Sequence, residues 1–364
     1  MSERIVLSRR AFAAGSLRLM GAMGAAALAS SPFALVGCSG EGALGGSNDN
    51  SGSAQPATSS TFAFDTYCTF SVYGDDTAPA RLARACARYD ALFDLYNPES
   101  DIARVNASAG APCTVDPATA DLVSQALAWC EQAHGRFDIT IGAVSTLWDF
   151  DEGVRPSDEA VAQALPHVNW RGVSVDASNP ESPTITLTDL AAKLDLGGIA
   201  KGYIADRLCD LLEQETTATG AAISLGGNIA YMGRKPDGSP WTTGIRDPND
   251  PGGSTVVGTA QTAGGSLVTS GLYERTFDQD GTTYWHILDP RTGMPVATDV
   301  VSVTVACPSS TEADALSTTL FVAGSAEGVR IVDALPDTAA YFILNDGSTV
   351  STSRWQELTD FTTA

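Results

Sequence analysis

Asp314 and Thr318 stand four residues apart in the run Asp314-Ala315-Leu316-Ser317-Thr318. On a helix that spacing puts both on one face, where a carboxylate and a hydroxyl can converge on a hard cation. The plainer role for an Asp near a helix start is to serve the helix dipole alone. A second run, Asp195-Leu196-Gly197-Gly198-Ile199-Ala200-Lys201-Gly202-Tyr203, places paired glycines ahead of a helical stretch. Exposed backbone N–H groups at such a helix start, with the Lys201 ammonium, make a cradle for phosphate. It is neither a Walker A loop, since Gly202 follows the lysine, nor a G-x-G-x-x-G turn, and a Gly-rich turn can also be purely structural. Asp289-Pro290-Arg291-Thr292-Gly293 is a turn with chemically costly side chains, and His286 precedes it on an expected strand. His286 can position a substrate or take a proton, or it can be a structural histidine. Two further polar runs are Gly135 to Gly142, and Thr269-Ser270-Gly271 with Glu274-Arg275.

The surroundings of these residues are acidic. The chain carries 43 Asp and Glu against 21 Lys and Arg, a net charge of −22. Such a field repels nucleic acid phosphates, which argues against nucleic acid as a partner. It does not forbid a small phosphate ligand, because a divalent cation can bridge carboxylate to phosphate.

Periodicity supplies the elements that hold the chemistry. Thr61 to Tyr73 alternates as an opening strand, and helices are expected at Pro79 to Tyr96, Pro117 to His134 and Ala200 to Glu215, the last following the glycine pair. Short β-like runs then crowd the second half: Thr184 to Thr188, Ala222 to Leu225, Trp241 to Ile245, Tyr284 to Leu288 and Val300 to Val305. A helix pair follows at about Glu312 to Ala323 and Ala326 to Leu335, with Ser309 and Glu312 spaced as a capping box. Early helices and later clustered strands predict an α+β fold, a single mixed unit over residues 61–364.

The first 60 residues read as address and tether. Residues 1–37 hold four Arg and one acidic residue, and Ser8-Arg9-Arg10-Ala11-Phe12 resembles a twin-arginine export signal. Leu19 to Gly37 is long enough to span a bilayer but contains Pro32 and several Gly and Ser, and it ends at Leu35-Val36-Gly37-Cys38, similar to the lipobox in which the cysteine is lipidated. A signal peptide is therefore expected over 1–37, with Cys38 anchoring the protein to the membrane and residues 38–60, rich in Gly, Ser, Asn and Ala, acting as a flexible spacer. The remaining cysteines include no C-x-x-C pair and the chain has only three His, which argues against structural zinc. Cys86, Cys130 and Cys209 fall on apolar helix stripes, as buried small hydrophobes do.

Taken in order, these runs resemble the ApbE family of flavin transferases. The likeness extends from about Thr61 to Ala323 and rests on Tyr96-Asn97-Pro98-Glu99-Ser100 with Arg104-Val105-Asn106, Phe137-Asp138-Ile139-Thr140, the Asp195 to Tyr203 run, Ser224-Leu225-Gly226-Gly227-Asn228, Ser270-Gly271, His286 to Gly293, and Asp314 to Gly324. The resemblance implies a Mg²⁺-dependent transferase that splits FAD, joins FMN to a Thr or Ser hydroxyl of a target protein and releases AMP. It puts metal ligands at Gly198 (through its carbonyl), Asp314 and Thr318. It puts FAD contacts at Phe64, Tyr96, Arg136, Phe137, Asp138, Asp195, Lys201 and Ile287. Asp314, through the metal, and His286, positioning substrate or taking the acceptor hydroxyl's proton, are the expected catalytic residues. Phe64-Asp65-Thr66 departs from the family's commoner Met-Gly-Thr, and Gly198 stands where many relatives have Ala. The chain shows no Asp-x-x-[Ser/Thr]-Gly-Ala-Thr acceptor motif of its own, so the expected acceptor is another exported protein. FAD hydrolysis to FMN and AMP, and a non-catalytic FAD-binding lipoprotein, are the competing readings.

Overall fold

The computed structural model describes residues 55–250 and 254–364. The export segment, Cys38 and most of the spacer lie outside the described residues.

Eight strands build one antiparallel sheet whose spatial order follows the chain: β1 (Ala57–Ala63), β2 (Thr66–Tyr73), β6 (Gly220–Leu225), β7 (Asn228–Gly233), β10 (Gly265–Gly271), β13 (Val300–Cys307), β14 (Ala339–Leu344) and β15 (Thr349–Ser351). Smaller elements are inserted between these strands. A three-stranded sheet of β3 (Cys113–Thr114), β5 (Thr184–Leu187) and β4 (Val173–Asp176) falls between β2 and β6. The hairpin β8 (Trp241–Arg246) and β9 (Val256–Thr262), joined by β16 (Thr362–Thr363), follows β7. The hairpin β11 (Thr276–Gln279) and β12 (Thr282–Trp285) follows β10. The helices of the described residues are α1 (Ala78–Phe93), α2 (Asp101–Asn106), α3 (Pro117–Gln132), α4 (Gly142–Ser145), α5 (Asp158–Ala164), α6 (Ala200–Glu215), α7 (Ser310–Ala323), α8 (Ser325–Asp333) and α9 (Trp355–Thr359).

Strand alternation splits the apolar residues between two faces. Phe70, Ile223, Ala230 and Met232 join Leu82 of α1 and Ile204 and Leu208 of α6 in one core, while Val268, Val303 and Val305 pack on Leu316 and Leu320 of α7. The opposite face, with Tyr231, Leu267 and Tyr341, is closed by Trp241 of β8 and Trp355 of α9. This is the expected α+β architecture, with α6 and α7 side by side on the sheet.

Three local expectations change. Thr61 to Tyr73 is not one strand but the hairpin β1–β2, turned at Phe64 and Asp65, both left-handed with φ of 54° and 55°. A two-residue reversal keeps the period-two pattern in phase, which is why the sequence reads straight through it. Strand β1 also starts at Ala57, so residues 57–60, assigned to the spacer, pair with Thr69 to Val72 of β2. His286 lies one residue past β12 rather than on it; its N–H donates to the Arg275 carbonyl at 3.2 Å. Residues 287–289 then pair back on 294–296 around the Asp-Pro-Arg-Thr-Gly turn, with Val296 N to Ile287 O and Asp289 N to Met294 O both at 2.9 Å.

Candidate functional site

The site forms where the N-terminus of α6 meets the flank of α7. Asp206, on the second turn of α6, holds the start of α7: its carboxylate accepts from the N–H groups of Ser310 and Thr311 (both 2.9 Å) and from the hydroxyls of Ser309 (2.9 Å) and Thr311 (2.7 Å). A carboxylate at this helix N-terminus satisfies two of the orphan donors and opposes the positive end of the dipole. Ser309 caps as expected, accepting from Glu312 N at 3.3 Å, but the Glu312 carboxylate faces Cys307 Sγ at 3.8 Å. Asp206 does the work the capping box was expected to share.

With α7 fixed in this way, Asp314 is buried and its Oδ2 accepts from the Gly202 N–H at 2.9 Å. The helices touch so closely at this point that a Cβ on Gly202 would stand 2.2 Å from the Ser310 carbonyl oxygen and 2.7 Å from Asp314 Cβ. Thr318, one turn on, donates to the Asp314 carbonyl at 3.5 Å. A Cβ on Gly198 would lie 3.2 Å from Thr318 Oγ1, so the Gly198 turn packs against Thr318, and Asp314 lies one helical turn before it on α7. Together they offer a carbonyl, a hydroxyl and a carboxylate. That all-oxygen set suits a hard cation completing its shell with water or phosphate. Among the described residues there is no cluster of three or more His, Cys, Asp or Glu that could hold a metal ion.

Phe137 leans over this cluster, its Cε2 3.0 Å from the same constructed Gly198 Cβ. Gly198→Ala keeps the carbonyl and needs the Phe137 ring to yield by a few tenths of an ångström. The expected outcome is a loss of activity of no more than a few-fold, about 1 kcal/mol or less in transition-state terms, checked by kcat/KM for FAD.

The remaining expected site residues divide into two groups. Lys201 is partly exposed at the mouth, with Nζ 3.2 Å from the Gly197 carbonyl, and is available to an anion. Asp195 shapes the glycine turn: Oδ1 accepts from Gly197 N at 2.9 Å and Oδ2 from Ser145 Oγ at 2.6 Å. Asp138 is committed in the same way, accepting from Thr140 N (2.8 Å), Thr140 Oγ1 (2.5 Å) and Trp170 N (3.1 Å). Arg136 pairs with Glu327 of α8 at 3.5 Å. Tyr96 stands exposed in the α1–α2 connection, and Ile287 is buried in the core beside α7. Phe64 packs against the α6 side, its N–H held by Asp90 Oδ1 at 2.9 Å. Asp65, in place of the family's usual glycine, pairs with Arg275 at 2.7 Å. That ion pair ties the β1–β2 turn to the loop whose Arg275 carbonyl holds His286.

His286 Nδ1 is buried with no hydrogen-bond partner. Burial, with the Arg275 and Lys201 charges acting in the same direction, lowers its pKa to about 4, so the ring is neutral at pH 7. Of the cysteines on helix stripes, Cys86 and Cys130 are buried and Cys209 half-buried, and burial pushes the Cys130 thiol up to about 12.

Sequence reasoning missed three things here. Asp206 gave no signal because its partners lie more than a hundred residues away. The hydroxyl pairs Ser266–Ser310 (3.0 Å) and Ser270–Ser317 (2.7 Å) zip α7 to β10. Asn228 sits buried with both amide atoms unpaired.

This pairing of fold and site defines one class of protein. The ApbE family pattern matches residues 64–342, and the chain belongs to the ApbE family. A protein named FAD:protein FMN transferase from Treponema pallidum (strain Nichols) is 38% identical over 265 residues, 68% of this chain and 72% of that one. The crystal structure of the ApbE protein from Thermotoga maritima superposes with a TM-score of 0.76 at 31% identity, over 84% of this chain and 99% of that one. The flavinyl transferase ApbE from Pseudomonas stutzeri, in its apo form, gives a TM-score of 0.73 at 26% identity, over 85% and 98%.

Proposed function

We propose that this protein is a Mg²⁺-dependent FAD:protein FMN transferase that attaches FMN to a Thr or Ser of an exported acceptor and releases AMP. The observation that carries this reading is the packing of the α6 start on α7, which sets Gly198 against Thr318 and Gly202 against the Asp314 carboxylate, next to Lys201 in the chain. An acidic protein that must take a pyrophosphate needs cationic charge at that point, and these oxygen donors are where it would be held. When bound there, Mg²⁺ supplies charge neutralisation for the pyrophosphate.

The chain's own residues do the rest. The Lys201 ammonium holds phosphate oxygens, whereas the N–H groups of Gly197, Ala200 and Gly202, expected from sequence to face a phosphate, are taken by Asp195, Leu196 and Asp314. The acceptor hydroxyl attacks the phosphorus on the FMN side. An oxygen–phosphorus bond forms there, the pyrophosphate bond breaks, and AMP departs with the bridging oxygen. The hydroxyl proton passes to the neutral His286 ring at Nε2, the nitrogen that is not buried. Phosphoryl transfer asks mainly for positioning and electrostatics.

A histidine with a folded pKa near 4 is able to accept a proton above that pH and loses the ability below it. The kcat/KM profile is therefore expected to fall on the acid side near pH 4, and the kcat limb to lie higher, because bound phosphates favour the protonated ring. His286→Gln is expected to lower kcat by about a hundredfold and to remove that limb. An unaltered profile in the variant makes His286 a structural residue.

Export and anchoring belong to the same reading. The twin-arginine segment would deliver the folded enzyme, and lipid on Cys38 would hold it at the membrane beside exported targets, the spacer giving it reach. Co-expression with candidate exported proteins under anaerobic conditions, followed by in-gel flavin fluorescence, tests the acceptor class directly. Fluorescent acceptor bands that vanish with the enzyme support it, and uniformly dark gels contradict it.

A further inference from the structure

We infer that Asn228 is a positioning residue for Asp314, its amide donating to the carboxylate when the site is loaded; the inference rests on the reading of Asp314 as a cation ligand. Asn228 is 1% exposed, and neither Oδ1 nor Nδ2 has a partner. A buried amide with both ends unpaired is costly to keep unless something uses it.

The sheet register locates what it faces. Asn228 pairs with Val268 of β10, and by strand alternation it shares the helix-covered face with Ala230 and Met232. On the same face of β10, Ser266 meets Ser310 and Ser270 meets Ser317. Ser310, Asp314 and Ser317 form one stripe of α7 at spacings of four and three, so Asp314 comes down at the level of Val268, between the two serine contacts. Strand β7 lies beside β10 on the side of α6, the side from which Gly202 N reaches Asp314 Oδ2. Asn228 is thus the polar group that the sheet presents to the α6–α7 seam at the level of Asp314. A ligating carboxylate works best with its orientation fixed by further hydrogen bonds, and loss of such a partner weakens metal binding by about 10- to 100-fold.

The test uses the full chain with Mn²⁺ as probe, its affinity read by electron paramagnetic resonance and stability by thermal melting, for Asn228→Leu, Asn228→Ala and Asp314→Asn. Both Asn228 variants are expected to bind Mn²⁺ about tenfold more weakly. Asn228→Leu is expected to raise Tm, since it removes an unpaired buried amide at similar volume, while Asn228→Ala leaves a void and does not. Unchanged Mn²⁺ affinity in both Asn228 variants, with weakened binding in Asp314→Asn, overturns this inference and leaves the cation reading standing. Unchanged affinity in Asp314→Asn overturns both.

Discussion

Asp314→Asn is expected to lower FMN transfer and AMP release by two to three orders of magnitude, about 3–4 kcal/mol of transition-state stabilisation, while FAD still binds measurably. The substitution is chosen for what it preserves. An Asn oxygen still accepts from the Gly202 N–H now held at 2.9 Å, so the α6–α7 contact survives and the loss isolates the charge. Asp314→Ala would add the cost of an unpaired buried N–H, about 1–3 kcal/mol, and mix stability into the result. Chromatography of AMP, flavin fluorescence on binding and a thermal melt separate these effects. Turnover unchanged in Asp314→Asn would remove the carboxylate from the chemistry.

Gly202→Ala should be the most damaging change of a single methyl group. Helix propensity alone predicts a gain, because Ala is favoured over Gly by about 1 kcal/mol in a helix. Packing predicts the opposite. The added carbon would meet the Ser310 carbonyl oxygen at 2.2 Å, a backbone atom pinned by the Asp206 cap and the Ser266 contact. Overpacking of this kind costs about 1–3 kcal/mol, and here relief requires moving α6 off α7, breaking the Gly202 to Asp314 bond. Packing wins, so Tm falls and activity falls further than stability alone accounts for. A melt and a kcat measurement on the same preparation check both, and a raised Tm would show that the helices sit farther apart than the structure has them.

Much of this was legible from spacing. The α6 helix was expected at Ala200 to Glu215 and spans those residues, because its apolar stripe and glycine entry are local signals. The Asp314 and Thr318 pair was readable because residues four apart on a helix share a face whatever surrounds them. The failures concern partners distant in sequence. Neither the Asp206 clamp on α7 nor the seat of Asn228 can be read from neighbours, since each depends on which strand or helix the fold lays alongside. The β1–β2 turn was hidden differently: Phe64 and Asp65 take left-handed φ without the Gly or Asn that announces it. The family resemblance implies ligand contacts at Asp138 and Asp195, but the bonds by which their carboxylates also hold the Thr140, Trp170, Ser145 and Gly197 segments could not be read from sequence.

Intact-mass spectrometry of a candidate exported acceptor tests group transfer to a protein hydroxyl most directly. After incubation with FAD, Mg²⁺ and the full-length enzyme, the account predicts an acceptor heavier by one FMN phosphoester, with AMP released in equal amount and neither product formed by Asp314→Asn. Free FMN and AMP beside acceptors of unchanged mass would contradict it and make the protein an FAD pyrophosphatase, and FAD recovered intact would make it a flavin carrier.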